Sequence, residues 1–467
     1  MTTPGEDSLV TASAPFLARL SNNLHIWLRW IGVDWAVLFG VLTRVWQLLA
    51  SPVSLLLIAR YLTPEMQGFY YTFASLLALQ SFMELALYLV IINTASHEWA
   101  FLSLDSAGKI VGEPNALSRL VSLGRFIFKW YAIASAVFVF SVWTVGYVFF
   151  SQQSYHDIAW QAPWLMLVLL AGLQMWALPF NSLLEGCNQV ATIQKFRFSQ
   201  AILGSLVMWL AFVLGMELWV AVVAAAVGLL RDVYLLGVQY RNFFRTFFKP
   251  PSGLIIHWRS DIWPMQWRLG LSGVVNYFAF SLFNPVMFQY HGASVAGQMG
   301  MTLVIVGAVQ SVATMWVYPK VPQFGILIAQ KDYVGLDRFW LRTSLLSVVV
   351  VIGGAGAAWL LVYGINTFYP PLAQRMLPPL PTGLFLLAAI IMQISQCETA
   401  YLRAHKQEPI VVLGVVSSIA IGISVWVFGG RFGPVGAATG YLTLMAGMVL
   451  PWETLIWFRC RKEWHKA

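Results

Sequence analysis

ARYLTPEMQGFYYTFASLL, residues 59–77, is the stretch on which the reading of this chain turns. An almost unbroken apolar run stops at Arg60, turns at Pro64, presents Glu65, Gln67 and Gly68, and becomes apolar again. The runs on either side are apolar around the whole helical circumference, the pattern of helices surrounded by lipid or core. A tight polar hairpin between two such helices is what a chain needs to cross a bilayer and return.

Composition extends that reading to the full length. Of 467 residues, 59% are hydrophobic and only 10% charged, with a mean hydropathy of +0.71, far from the mixture of a soluble globular chain. The chain reads as a polytopic membrane protein. Trp27, Trp30, Trp99, Trp143 and Trp160 stand near the edges of apolar runs, where amphipathic rings favour the headgroup region. The opening MTTPGEDSLVTASAP is polar and no short apolar core with a small-residue cleavage site follows it, so no signal peptide is expected. Residues 16–31 place Phe16, Leu20, Leu24, Trp27 and Ile31 near one helical face, which predicts a helix lying in the interface.

A spanning helix needs about 20 mostly apolar residues. Twelve segments qualify: 35–59, 68–93, 126–149, 161–183, 199–216, 218–240, 265–289, 295–318, 343–364, 381–402, 409–428 and 434–458. The expected fold class is therefore all-α and integral to the membrane. With the N-terminus cytoplasmic, only Arg60, Arg375 and Arg431 of the 28 Lys and Arg fall in outer connections. The bias of basic residues toward the cytoplasm selects this orientation, with both termini inside. It also accounts for the net charge of +9 through contact with anionic lipids, and leaves a nucleic-acid partner without comparable support. The expected divisions are a tail with the interfacial helix (1–33), a first lobe of spans 1–6 (34–248), an inner linker (249–264), and a second lobe of spans 7–12 with a basic tail (265–467).

Catalytic machinery is not legible. Cys187, Cys397 and Cys460 are scattered, so neither a metal site nor a disulfide framework is expected. The seven histidines form no HExxH, and no phosphate-binding glycine loop or GxSxG elbow is present. No cofactor is expected. The inner connection 94–125 and the outer NTFYPPLAQRMLPPL (366–380) are both too short for a catalytic domain, which points to a transporter and away from an enzyme.

The hairpin is repeated. TPEMQGFYYTFASLLAL (63–79) before span 2 and GASVAGQMGMTLVIVGA (292–308) before span 8 both place a short polar turn and a glycine ahead of an even-numbered helix. Because each half has six spans, the halves share an orientation, giving a parallel repeat about an axis along the membrane normal. LLLIARYLTPEMQGFYYTFASLLAL (55–79) resembles the "AR.L.PE.FG.Y" turn of Wzx-like polysaccharide-repeat flippases of the multidrug/oligosaccharidyl-lipid/polysaccharide exporter superfamily, with Gln67 at the aromatic position. YPKVPQFGILIAQKDYVGLDRFWLRT (318–343) and FGPVGAATGYLTLMAG (432–447) continue the likeness. The resemblance implies two six-helix lobes in a V around a central cavity, working by alternating access in the bacterial inner membrane. It implies an undecaprenyl-pyrophosphate-linked glycan as cargo, and polysaccharide polymerase and glycosyltransferases as partners. An ion-coupled drug or small-molecule antiporter on the same fold is the alternative, and a membrane glycan polymerase or ligase is disfavoured for want of a sizeable outer loop.

Ionisable groups at membrane depth are costly and face protein or a hydrated cavity. Arg44 and Glu84 lie equally far in sequence from Pro64 on antiparallel helices, hence at matched depth, with Gln47 one turn from Arg44. Two readings stay open: Arg44 attracts a pyrophosphate with Glu84 as counter-ion, or the two form a structural ion pair. In the second half, Asn276 and Gln310 match in depth about Gly292, while Asn284 and Gln298 lie nearer the outside. They read as interhelical hydrogen-bonding groups or as sugar contacts. Arg268, near the inner edge, is a second phosphate candidate or a snorkelling side chain. Arg231, Asp232, Glu398 and Glu453, toward the inner ends, read as solvated or interfacial.

Overall fold

The computed structural model describes residues 35–465 except 86, 154, 156, 264–265, 268–269, 271–276, 279 and 406. The expected interfacial helix at 16–31 lies outside the described residues, as do Arg268 and Asn276.

Nine described helices are long and apolar enough to cross a membrane, ten when one bent pair is taken as a single span. Span 1 is Trp35–Tyr61. Thr63 then ends the hairpin: its Oγ1 accepts the Met66 amide at 3.2 Å, and Pro64 opens the next helix with its φ already set. Span 2 is broken, running as Pro64–Leu77, Gln80–Glu84 and Leu87–Trp99, with Leu85 at φ 44° and a bend of 47°. Spans 3 to 6 are Pro114–Ser151, Gln161–Gly186, Val190–Val213 and Trp219–Gln239. Of the stretch expected as span 7, the described part includes the helix Phe283–His291. Spans 8 to 10 are Ala293–Ala329, Tyr333–Phe368 and Pro379–Ala404.

The run Val411–Trp464 holds 54 residues, about 80 Å if straight and more than twice a bilayer core. It folds back at Gly433, whose φ of 63° and ψ of −151° are non-helical. The missing side chains confirm the hairpin: a Cβ at Gly436 would meet the Phe428 carbonyl, and one at Gly440 would meet Ser424 Oγ. Spans 11 and 12 therefore pack antiparallel, sealed by small residues where a membrane helix pair needs close backbones.

Two differences from the sequence reading concern the connections 94–125 and 249–264. The connection 94–125 is mostly helix, because span 2 continues to Trp99 and span 3 begins at Pro114. Between them lies a hairpin of two strands, β1 (Leu102–Leu104) and β2 (Ile110–Gly112), antiparallel with Ser103 opposite Val111. Its turn is held by Asp105 Oδ1, which accepts the amides of Ala107 and Lys109 at 2.9 and 2.8 Å. The inter-lobe linker is pinned to span 3: Ser118 Oγ accepts the Gly253 amide and Ser122 Oγ the Ile256 amide, each at 2.9 Å.

Within the first lobe, Trp164 presses its indole against Gly146, where a Cβ would sit 2.2 Å from the ring, and Phe128 stacks on Phe180 at 4.1 Å. Span 1 is tied to span 5 by Trp46 Nε1 donating to the Ala201 carbonyl (3.0 Å) and Trp209 Nε1 donating to Ser54 Oγ (2.9 Å). In the second lobe Ser347 Oγ donates to the Ala313 carbonyl at 2.7 Å, and Gln393 Nε2 donates to Ser347 Oγ at 2.6 Å. Lipid offers polar groups no alternative partner, so such bonds fix helix pairs. Cys187 and Cys397 are free and buried among these helices.

Of the four ionisable groups read as solvated or interfacial, Arg231 keeps partial exposure and the three carboxylates do not. Asp232, Glu398 and Glu453 are buried. Asp232 accepts from Asn181 Nδ2 at 3.0 Å and from Arg231 Nε at 3.1 Å. Glu398 accepts from Thr454 Oγ1 at 2.9 Å, and Glu453 accepts from the hydroxyls of Ser395 and Thr399. Neighbouring spans supply the hydrogen bonds that water would otherwise give, as burial of a charge demands.

Candidate functional site

The two lobes meet along a seam formed by the outer part of span 2 and the start of span 8. Aligned as in the repeat, Pro64, Gly68 and Tyr71 stand opposite Ala293, Gly297 and Gly300. A Cβ on Gly68 would lie 1.9 Å from the Ala293 carbonyl oxygen, and one on Gly297 would lie 2.9 Å from that of Pro64. Each glycine thus meets the backbone one helical turn back on the other helix, and Gly300 meets the ring of its own counterpart Tyr71.

Gln67 locks the seam. Its Nε2 donates to the carbonyls of Gly297 and Arg375, both at 2.8 Å, and its side chain is buried. Sequence reading noted this residue as a polar member of the hairpin and as a departure from an aromatic pattern, and not as a contact between the lobes. Arg375 is half-buried within the connection 366–380, where loss of water pulls its pKa down and Glu65 partly offsets the effect. Around the seam, Phe288 of span 7 packs edge-on to Phe69 at 5.0 Å and to Phe150 at 5.3 Å. Tyr155 Oη accepts the Ala293 amide at 2.8 Å. These contacts pack the two lobes together at this end of the molecule.

Deeper in the membrane, the two gaps related by the repeat differ. Between spans 2 and 7, Phe82 packs on Tyr277 and Phe278 with ring centroids 5.4 and 5.7 Å apart. Between spans 1 and 8 a cleft of about 180 Å³ remains, lined by Arg44, Gln47, Leu48 and Ser51 on one side and Val304, Ala308, Ser311 and Met315 on the other. Arg44 lies about 25 Å below Tyr61 at 1.5 Å per residue. Among the described residues no ion pair involves it.

Of the residues read as cavity groups, Arg44 and Gln47 are brought together here. Glu84 is not joined to Arg44: it accepts from Gln80 Nε2 one turn back on its own helix. Asn284 Nδ2 donates to Ser75 Oγ at 3.0 Å across the lobe boundary. Gln298 Nε2 donates to the Gln374 carbonyl at 3.1 Å in the outer loop, and Gln310 Nε2 to Gln393 Oε1 at 2.7 Å within the second lobe. These three are engaged in helix-to-helix or helix-to-loop bonds away from the cleft. Ser51 and Ser311 complete its polar lining and were missed, because a lone serine in an apolar run carries no periodic signal. Among the described residues no group of three His, Cys, Asp or Glu side chains could hold a metal ion.

No family model matches the chain, and no curated protein matches it. Solved structures do. A multidrug resistance MATE family transporter of the MOP superfamily in its inward-facing conformation superposes with a TM-score of 0.58 at 13% identity, over 91% of this chain and 96% of that one. The outward-facing conformation of a multidrug resistance MATE family transporter of the MOP superfamily gives 0.50 at 14% identity, over 90% and 94%. The lipid II flippase MurJ, inward closed, gives 0.59 at 12% identity, over 91% and 87%. At these identities the likeness establishes the fold: an all-α membrane protein of about twelve spans in two six-helix lobes, shared with a multidrug transporter and with a lipid flippase.

Proposed function

We propose that the chain is a flippase for lipid-linked oligosaccharide, moving undecaprenyl-pyrophosphate-linked repeat units across the bacterial inner membrane for surface polysaccharide synthesis. The observation that carries this reading is the Arg44 cleft: a guanidinium that forms no ion pair among the described residues, at membrane depth, between the lobes, beside Gln47, Ser51 and Ser311. A lone cation there is stabilised by an arriving anion, and its planar fork suits the paired oxygens of a pyrophosphate. The hydroxyls and amide offer hydrogen bonds to sugar. With the outer seam closed, the head group enters from the inner side, the lobes rock apart at Gly68 and Gly297, and the prenyl tail stays in lipid. No bond is made or broken. Polymerase and glycosyltransferases would act before and after this step.

A second reading, an ion-coupled drug or small-molecule antiporter, is favoured by Glu84, a carboxylate at membrane depth that no described cation pairs with. Reconstitution with a fluorescent lipid-linked sugar and, separately, a cationic dye distinguishes the two. On the flippase reading Arg44→Ala stops sugar-lipid movement while the folded protein persists, and Arg44→Lys retains part of it, since Lys keeps the charge and loses the fork. Full movement by stable Arg44→Ala protein would sink the assignment, and dye transport that Glu84→Gln abolishes would establish the second reading.

A further inference from the structure

From a groove between spans 4 and 6, we infer a binding site for one anionic phospholipid, drawn from the leaflet on the basic side of the protein. The groove holds about 520 Å³, within the ~300–1,000 Å³ usual for ligand pockets. Leu173, Trp176 and Phe180 form one wall, and Leu229, Val233 and Leu236 the other. Trp176 and Val233 are exposed, so the groove opens to the surrounding lipid. No protein segment covers it among the described residues, and in a bilayer an apolar furrow of this kind is filled by acyl chain.

Its mouth selects the head group. Arg241 and Arg245 line the groove one turn apart on the same helical segment, and no hydrogen bond or ion pair engages either among the described residues. Two like charges at that spacing repel, and an anion between them removes the conflict. Phe248, largely exposed beside them, sits where a ring meets the headgroup layer. Asp232, on the groove floor, does not cancel this charge, because Arg231 and Asn181 already satisfy it. Two larger grooves, between spans 11 and 12 and between spans 3 and 4, have no charged lining residue. The cationic mouth therefore distinguishes this groove from generic lipid-facing surface.

Gly237 supplies a clean test, since nothing lies within 4 Å of a Cβ built there and it lines the groove. Full-length protein in neutral detergent is titrated with phosphatidylglycerol or phosphatidylcholine of the same chains, and retained lipid is counted by native mass spectrometry. The expected result is one tightly retained phosphatidylglycerol per chain, with at least fivefold less in Arg241→Gln/Arg245→Gln. Gly237→Phe, which leaves both arginines in place and blocks the furrow, should lose it to a similar degree. Unchanged retention in both variants, or equal retention of phosphatidylcholine, would overturn the site. Displacement by equimolar undecaprenyl pyrophosphate would overturn the phospholipid assignment in favour of the cargo. None of these readouts depends on what the Arg44 cleft transports.

Discussion

Gln67 and Arg44 are the two side chains whose roles the structure separates most clearly. Gln67 holds two carbonyls of the opposite lobe with one amide nitrogen. Replacing it by Leu leaves both without that donor in a buried place, a loss of about 1–3 kcal/mol for the closed state. Gln67→Leu should therefore shift the molecule toward an open outer side. Spin labels at Tyr61 and Tyr369, both exposed, would report a longer distance in the variant, and an unchanged distribution would show that Gln67 is not a latch. For Arg44 the absence of a described ion pair bears on its partner at a matched depth. If the two residues do not pair, exchanging Arg44→Glu with Glu84→Arg should not restore what either single change loses. Recovery of folded protein in the exchange, measured by thermal unfolding, would indicate a structural pair.

Among the elements, the seam of spans 2 and 8 is where packing and function meet. Backbone carbonyls face Gly68 and Gly297, and backbone cannot step aside as a flexible side chain can. Gly68→Ala should cost the closed state about 1–3 kcal/mol, more than enough to change its population severalfold. Met301, buried within the seam helix, offers the probe. Met301→Cys should resist a membrane-impermeant maleimide in the parent background and accept it with Gly68→Ala, and protection in both would mean that the seam is not the outer gate. The fold-back at Gly433 follows another principle. Its positive φ is open to glycine and strained for other residues, so the turn between spans 11 and 12 is written in one residue.

Over the whole molecule, orientation is the testable property. Cysteine at Gln374 should label from outside, and cysteine at Lys109, Lys249 or Lys331 should not, because the twelve-span reading puts nearly all Lys and Arg on one side and the basic side is expected to be cytoplasmic. Outside labelling at Lys249 would overturn the twelve-span topology. The sequence by itself determined the membrane class, the number of spans and the parallel repeat, because each follows from local apolar length and from the recurrence of a turn. Even the hairpin at 59–77 was legible, through Pro64 and the polar residues around it. Tertiary structure alone decided the rest. It showed that span 2 breaks at Leu85, that the presumed loop at 94–125 is largely helix around a β-hairpin, and that Asp232, Glu398 and Glu453 are buried with hydrogen-bonding partners. It also left Glu84 apart from Arg44 and placed Ser311 near Arg44 in one cleft. The reason is physical: apolar length sets how often a chain crosses lipid, whereas the rotation of each helix and the partner of each polar group are set by contacts between spans distant in sequence.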